Sequence, residues 1–393
     1  MLPGRFGCLP AMTGRNFTVD TITPYLIERN LVGLDAIVEG DLEIIDVGRR
    51  NQNLKIVRRR GSSYLIKQAG EGEFATSATL RCEAWFYAHC HSDPGAAALR
   101  DFLPALHAWD EDRGLLVLEL VDGHPLWVHY AGTPDPEFSS DAAAPLGDAL
   151  GTLHRVFRQS DSRPGWMAEL ATAPPWILFA DRPTPDMYAR LSPAHTQVLR
   201  ILQKNGPVTL GLDRLRREWL TETVIHNDMK GDNVLASAMT ENGIRVRIID
   251  WELIQIGDPA WDVGAVFRDF LNYWLLSVPL SGDLSPEEML EGAHVPLAKL
   301  HPAVRAFWQA YRAAAQLDAE VDGIFLLRSL RFAAARMAQG AYELSSNMAE
   351  PSNLAVAMLQ LAANLLADPR EASIHLFGIP VPWRRFGDAS LGE

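Results

Sequence analysis

The stretch VIHNDMKGDNVL, from Val224 to Leu235, sets His226, Asp228, Lys230, Asp232 and Asn233 between apolar flanks. A solvated turn rarely needs apolar walls on both sides, whereas a loop entering a strand pair does. The runs NVLASA (233–238) and IRVRIID (244–250) read as two strands of a small hairpin around the turn MTENG. The chain must therefore build a polar loop backed by a hairpin, and the question is whether those polar groups face a ligand.

The surrounding sequence gives that loop its setting. LEIIDVG (42–48), NLKIVRR (53–59) and SYLIKQ (63–68) are short, partly alternating runs bounded by Gly or polar turns, and they predict strands. SATLRCEAWFYAHC (77–90) carries apolar residues at helical spacing, and GLLVLELVDG (114–123) predicts a buried strand ending in a turn. The first hundred residues thus read as strands plus one helix. Beyond Gly123 helical periodicity takes over, as in PLGDALGTLHRVF (145–157). The Pro- and Trp-rich stretch 160–192 reads as a specialised loop or a short-helix insertion. With 393 residues, too many for one small core, the expectation is an α+β fold in two lobes. Residues 1–121 form a strand-rich N-terminal lobe and 122–393 a larger helical C-terminal lobe.

Charge and cysteine content narrow the function classes. The net charge is −13 and the longest basic run is Arg58–Arg60, which argues against a nucleic-acid surface. Three cysteines without a CxxC pair give no zinc site and fit a reducing compartment. The first residues lack the apolar core of a signal peptide, and GAVFRDFLNYWLLSVPL is interrupted by Arg268 and Asp269, so no membrane span is expected. The expected location is the cytoplasm.

His226, Asp228 and Asn233 fit H-x-D-x-x-x-x-N, and Asp250 ends the second hairpin arm. Transfer of a phosphoryl group from ATP needs a carboxylate to orient the attacking hydroxyl and accept its proton. It also needs oxygen ligands for magnesium. Mg2+ takes one or two hard protein oxygens and completes its shell with phosphates and water. Asp228 suits the first task as the catalytic residue, and Asn233 and Asp250 suit the second as metal ligands. The bland alternative is a hairpin of solvated turn residues.

VIHNDMKGDNVL, IIDWE and GDPAWDVG (257–264) resemble the catalytic loop, metal-binding segment and following helix start of the aminoglycoside phosphotransferase and choline kinase superfamily. LVLELVDGHPL (116–126) is similar to its interlobe hinge, and LGDALGTLH (146–154) to the helix after it. The likeness covers residues 42 to 265 and implies a bilobal protein-kinase-like fold, with ATP and Mg2+ as cofactors. It implies that Lys67 holds the ATP phosphates, and that Asp262 braces the catalytic loop; the plainer role for Asp262 is a helix N-cap. Lys67 needs an acidic partner on the next helix. Glu83 shares a helical face with Leu80 and Tyr87 and is the candidate, while Glu71 and Glu73 between glycines read as solvated loop acids.

Two features depart from the family. The nucleotide loop DVGRRNQNLKI holds only Gly48, so Arg49 and Asn51 replace backbone donors at the phosphates or meet a charged substrate; an exposed turn is the alternative. Lys230 stands where protein kinases, and not drug kinases, carry lysine; it is assigned a catalytic role beside the transferring phosphoryl group. His154 reads as a packed core histidine, and Trp166 and Trp176 as aromatic packing or the wall of a substrate groove.

The acceptor is open between two classes. RRNQN, Lys230, PPWIL (174–178) and DWELIQIGDPAWDVGAVFRDFL are similar to the kinase subunits of class V lanthipeptide synthetases. That likeness implies a Ser/Thr precursor-peptide substrate and a separate lyase partner. The alternative is an aminoglycoside or choline-like small molecule. From another class, a pseudokinase scaffold would be favoured by loss of Lys67, Asp228, Asn233 or Asp250, all of which are present.

Overall fold

The computed structural model describes residues 17–48, 52–69, 74–131, 140–158, 164–183, 191–237, 241, 243–281 and 283–381. It divides into two compact units: the described residues up to Asp122 together with Ile249–Leu253, and Gly123–Ile248 together with the rest of the described chain from Ile254. The fold is mixed, with an antiparallel sheet in the N-terminal part and helices dominating the C-terminal part.

The smaller unit is built on strands β1 (Glu43–Asp46), β2 (Gln52–Val57), β3 (Tyr64–Gln68), β4 (Leu106–Asp110) and β5 (Leu115–Glu119). They pair antiparallel in the order β1-β2-β3-β5-β4. Alternation sorts the side chains of each strand onto opposite faces. Leu54, Ile56, Ile66, Leu115 and Val117 join one buried cluster with Ile22, Tyr25, Leu26, Val32 and Ala36. Those partners come from helices α1 (Thr23–Glu28) and α2 (Leu34–Val38), the N-cap of α1 and the turn between the two. Lys67 follows Ile66, so it points to the opposite face, as does its register partner Leu116. Helix α3 (Phe74–Ser92) supplies Phe86, which stacks on Trp251 with ring centroids 4.2 Å apart. The sequence expectation missed α1, α2 and β4. Helices of six and five residues are too short to display a period, and LHAWD lacks alternation and carries a register shift.

The larger unit holds its helices close through small residues. In α4 (Ser140–Arg158), a Cβ on Gly147 would lie 2.3 Å from the Phe307 carbonyl oxygen, and one on Gly151 2.6 Å from that of Tyr311. Those two glycines let α4 run against the helix His301–Ala314 almost backbone to backbone. Helix α5 (Pro259–Leu275) is buried over most of its surface and packs on α6 (Asp322–Leu344). The hairpin is present as β8 (Val234–Ala236) and β9 (Val246–Ile248), after two earlier strands, β6 (His124–Pro125) and β7 (Thr223–Ile225). It differs from the expectation in having β6 as a third strand beside β8. A further pair also escaped sequence reading: β7 joins β10 (Gln255–Gly257), matching Ile225 with Gln255. Three-residue strands carry no period, yet this pair ties together the chain entering the polar loop and the chain leaving the hairpin.

Within the stretch 160–192, the described part forms two short 3-10 helices, Gly165–Glu169 and Trp176–Phe179. The insertion is anchored by the Ile256 N–H donating to the Ala171 carbonyl at 3.0 Å. Among the described residues no helix is long and apolar enough to cross a membrane.

Candidate active site

In the smaller unit, Lys67, Glu83 and Asp250 form one ionic cluster. Strand β3 aims Lys67 away from the apolar cluster, α3 brings Glu83, and the chain after β9 brings Asp250. The Lys67 ammonium donates to both Glu83 oxygens at 2.8 and 3.0 Å and to Asp250 Oδ1 at 2.7 Å. Lys67 is 5% exposed and Glu83 0%, whereas the Asp250 side chain is 37% exposed. The Trp251 N–H also donates to Glu83 Oε1, at 3.2 Å. Burial works against the charge on Lys67, but the carboxylates of Glu83 and Asp250 outweigh it and raise its pKa above the ordinary lysine value. Glu83 is shifted up, first by burial, with Lys67 pulling against it. One ammonium between two acids stays protonated, and the surplus negative charge belongs to Asp250, the member nearest solvent. Asp250 also has a left-handed backbone, φ 66°, which an aspartate tolerates better than most side chains.

In the larger unit, the loop after β7 is held by α5. The Asp262 carboxylate accepts the backbone N–H groups of His226 at 2.7 Å and Asn227 at 2.9 Å. The Trp261 indole N–H donates to the Asn227 carbonyl at 3.3 Å. These bonds hold Asn227 in a left-handed conformation, φ 68°, which turns the chain toward Asp228. The helix N-cap is Asp258, whose carboxylate accepts the Ala260 N–H at 3.1 Å, so Asp262 is a brace of the loop and not the cap. Buried His154 lies between Tyr311 Oη at 2.9 Å and Asp262 Oδ2 at 3.4 Å, and burial pushes its imidazole below the ordinary histidine value.

Asp228 is the focus of this loop. Its Oδ2 receives the Lys230 ammonium at 2.5 Å and the Asn233 amide at 3.2 Å, and its carbonyl receives the same amide at 2.9 Å. With the Asn233 nitrogen so engaged, its side-chain oxygen is the atom suited to a hard cation. The next turn is fixed by the Gly231 N–H on Asp269 Oδ2 at 2.7 Å. A Cβ on Gly231 would sit 1.9 Å from Tyr273 Oη, so any other residue here would have to displace the Tyr273 side chain. Beside the loop lies a small cavity of about 10 Å3, room for roughly one water molecule, lined by Leu126, Met229, Lys230, Phe270 and Tyr273 among others.

The structure thus brings together Lys67, Glu83 and Asp250 in one unit, and Asp228, Lys230 and Asn233 in the other. Arg49 and Asn51, and the loop acids Glu71 and Glu73, lie outside the described residues. Trp166 meets Phe157 edge to face at 6.2 Å, and Trp176 packs at 4.8 Å on Tyr342. Sequence reading missed Arg336, whose guanidinium is 3.7 Å from Asp228 Oδ1. Its signal was present: a lone cation inside the apolar run FAAARMA is a residue that needs a partner.

The sequence profile described as the phosphotransferase enzyme family matches residues 41–282, more than half of the chain. No curated protein matches it. Among solved structures, an ADP-bound aminoglycoside phosphotransferase is similar at 12% identity, covering 88% of this chain and 98% of that one, with a TM-score of 0.48. The macrolide 2'-phosphotransferase MphH of Brachybacterium faecium is similar at 14% identity, with coverage of 89% and 98% and a TM-score of 0.47. The choline kinase LicA of Streptococcus pneumoniae is similar at 15% identity, with coverage of 86% and 99% and a TM-score of 0.42. Membership rests on the sequence profile, which spans Lys67, Glu83, the Asp228 loop and Asp250: this chain belongs to the phosphotransferase enzyme family.

Proposed function

We propose that the protein transfers the γ-phosphoryl group of ATP to the side-chain hydroxyl of Ser or Thr in a peptide. The observation that carries the transfer is the Asp228 carboxylate, presented on a loop whose backbone is held by Asp262 and whose Oδ2 carries Lys230 and Asn233. The acceptor oxygen attacks the γ-phosphorus, the bond to the β,γ-bridging oxygen breaks, and ADP leaves. Asp228 orients the hydroxyl and takes its proton, and Lys230 offsets charge on the transferring group. Lys67, kept protonated by Glu83 and Asp250, holds the nucleotide phosphates.

The donor set fits magnesium. Asn233 and Asp250 each offer one hard oxygen of the kind it takes, and among the described residues no group of three or more His, Cys, Asp or Glu could hold a metal by itself. Bound there, Mg2+ would neutralise phosphate charge.

The charge around Asp228 supports an uncharged acceptor. An amine-rich aminocyclitol or a choline needs acids near the attacking hydroxyl, but the charged side chains paired with Asp228 are the cations Lys230 and Arg336. A phosphorylated Ser or Thr would then be the substrate of a separate lyase, and the cytoplasm would be the site of the reaction. ATP consumption measured with Ser/Thr peptides, an aminocyclitol and choline, followed by the mass of each acceptor, tests the reading. Phosphate gained by a peptide supports it; phosphate gained only by a small molecule overturns the peptide acceptor.

A further inference from the structure

We infer that Arg336 is a positioning residue of the catalytic loop, holding the Asp228 carboxylate and the Met229 peptide from a helix beyond the family match. The inference rests on the reading of Asp228 as the catalytic carboxylate. Helix α6 (Asp322–Leu344) lies wholly outside residues 41–282. From it, Arg336 Nη2 donates to the Met229 carbonyl at 3.3 Å and stands 3.7 Å from Asp228 Oδ1. Nη1 donates to Gln339 Oε1 at 3.2 Å. The guanidinium carbon lies 5.1 Å from the ring centroid of Trp261, the residue whose indole holds Asn227. One side chain therefore addresses both sides of Asp228: its charge faces the carboxylate, and its hydrogen bond fixes the following peptide.

This is a costly way to fill space. Arg336 is 6% exposed, Nε has no hydrogen-bond partner among the described residues, and the contact to Asp228 is too long for a hydrogen bond. Burial, with the charge of Arg268 nearby, works against its protonation. A buried cation so weakly bonded stabilises a fold less than an apolar side chain of the same length would. What it supplies is a fixed positive charge on the Oδ1 side of Asp228, opposite the Lys230 and Asn233 contacts on Oδ2. Lys230 is on the loop itself, with its side chain 37% exposed, and so moves with the loop. Arg336 is anchored on a 23-residue helix and sets where the loop sits.

A double-mutant cycle tests this, with ATP hydrolysis as the assay. Water is then the acceptor, and an error about the peptide does not enter. Arg336→Met keeps the length of the side chain without its charge. It should lower kcat roughly tenfold to a hundredfold, the scale of a displaced catalytic group, with KM for ATP within about twofold. Arg336→Lys should recover part of the loss. In the Asp228→Asn background, adding Arg336→Met should cost less than about threefold more, because the group it positions is already disabled. Thermal melting of each variant separates this from misfolding, and Arg336→Lys remains informative if Arg336→Met does not fold. If Asp228→Asn hydrolyses ATP at the wild-type rate, the catalytic reading of Asp228 falls, and this inference with it. If Asp228→Asn is impaired but the Arg336→Met loss multiplies in full, or follows the fall in Tm, only the Arg336 inference is overturned.

Discussion

The two units hold their acidic residues in opposite ways. In the smaller one, a single cation, Lys67 on the sheet, lies between two carboxylates, one from α3 and one from the short returning segment. In the larger one, a single carboxylate, Asp228, is faced by two cations, one from its own loop and one from a distant helix. The first arrangement keeps a lysine charged while leaving surplus negative charge on a half-exposed aspartate, which suits phosphates and a metal. The second sets a carboxylate between two cations and aims it, which suits proton transfer from a hydroxyl. The one charge balance suits binding and the other suits chemistry.

That separation can be broken at Asp250 first. Asp250→Asn removes the surplus charge and a hard metal ligand, so transfer should fall by roughly a thousandfold or more, several kcal/mol of transition-state stabilisation. Its side chain is 37% exposed, so the melting temperature should barely move. Steady-state rates with circular dichroism melts check both halves; near-normal turnover would remove Asp250 from the metal site.

Glu83→Gln should have a smaller effect, because Asp250 still binds Lys67. A loosened Lys67 should lower kcat/KM for ATP roughly tenfold to a hundredfold. Glu71→Gln and Glu73→Gln should change it little, and the reverse ranking in ATP titrations would transfer the ion pair to the loop acids.

Asp258 sharpens the comparison from the other side, as a buried acid that serves only structure. Burial, opposed by Arg328, pushes its pKa up to about 6. The folded state therefore holds a proton that the unfolded chain has already lost above roughly pH 4. Its contribution to stability should decline as pH rises from about 4 to about 6 and then level off, a change on the order of 3 kcal/mol. Denaturant melts of wild type and Asp258→Asn across that window should diverge in favour of the variant as pH rises, with turnover at neutral pH nearly unaffected. Parallel curves would show that Asp258 is ionised throughout.

Much of the smaller unit's chemistry was legible in sequence because it depends on short-range pattern. Lys67 ends an alternating strand, and Glu83 interrupts an apolar helical face, so each announces that it needs a partner. The Asp228 loop was legible for the same reason, as a fixed spacing between apolar flanks. What escaped was whatever tertiary packing decides. The β7–β10 pair has three residues a side, β6 has two, and Asp258 takes the cap that the sequence also allowed to Asp262. Arg336 lies 108 positions after Asp228 in sequence, and no local pattern connects them. Only the packing of α5 against α6 brings the two together.

The central claim is that Asp228 acts in the transfer step and not in nucleotide binding, and Asp228→Asn measured for both properties tests it directly. The account predicts a kcat lowered by roughly a hundredfold to ten-thousandfold, the usual worth of a positioned general base, with Mg-ATP affinity close to wild type because Lys67, Asn233 and Asp250 remain. A variant that binds no Mg-ATP, or one that turns over at the wild-type rate, would contradict it.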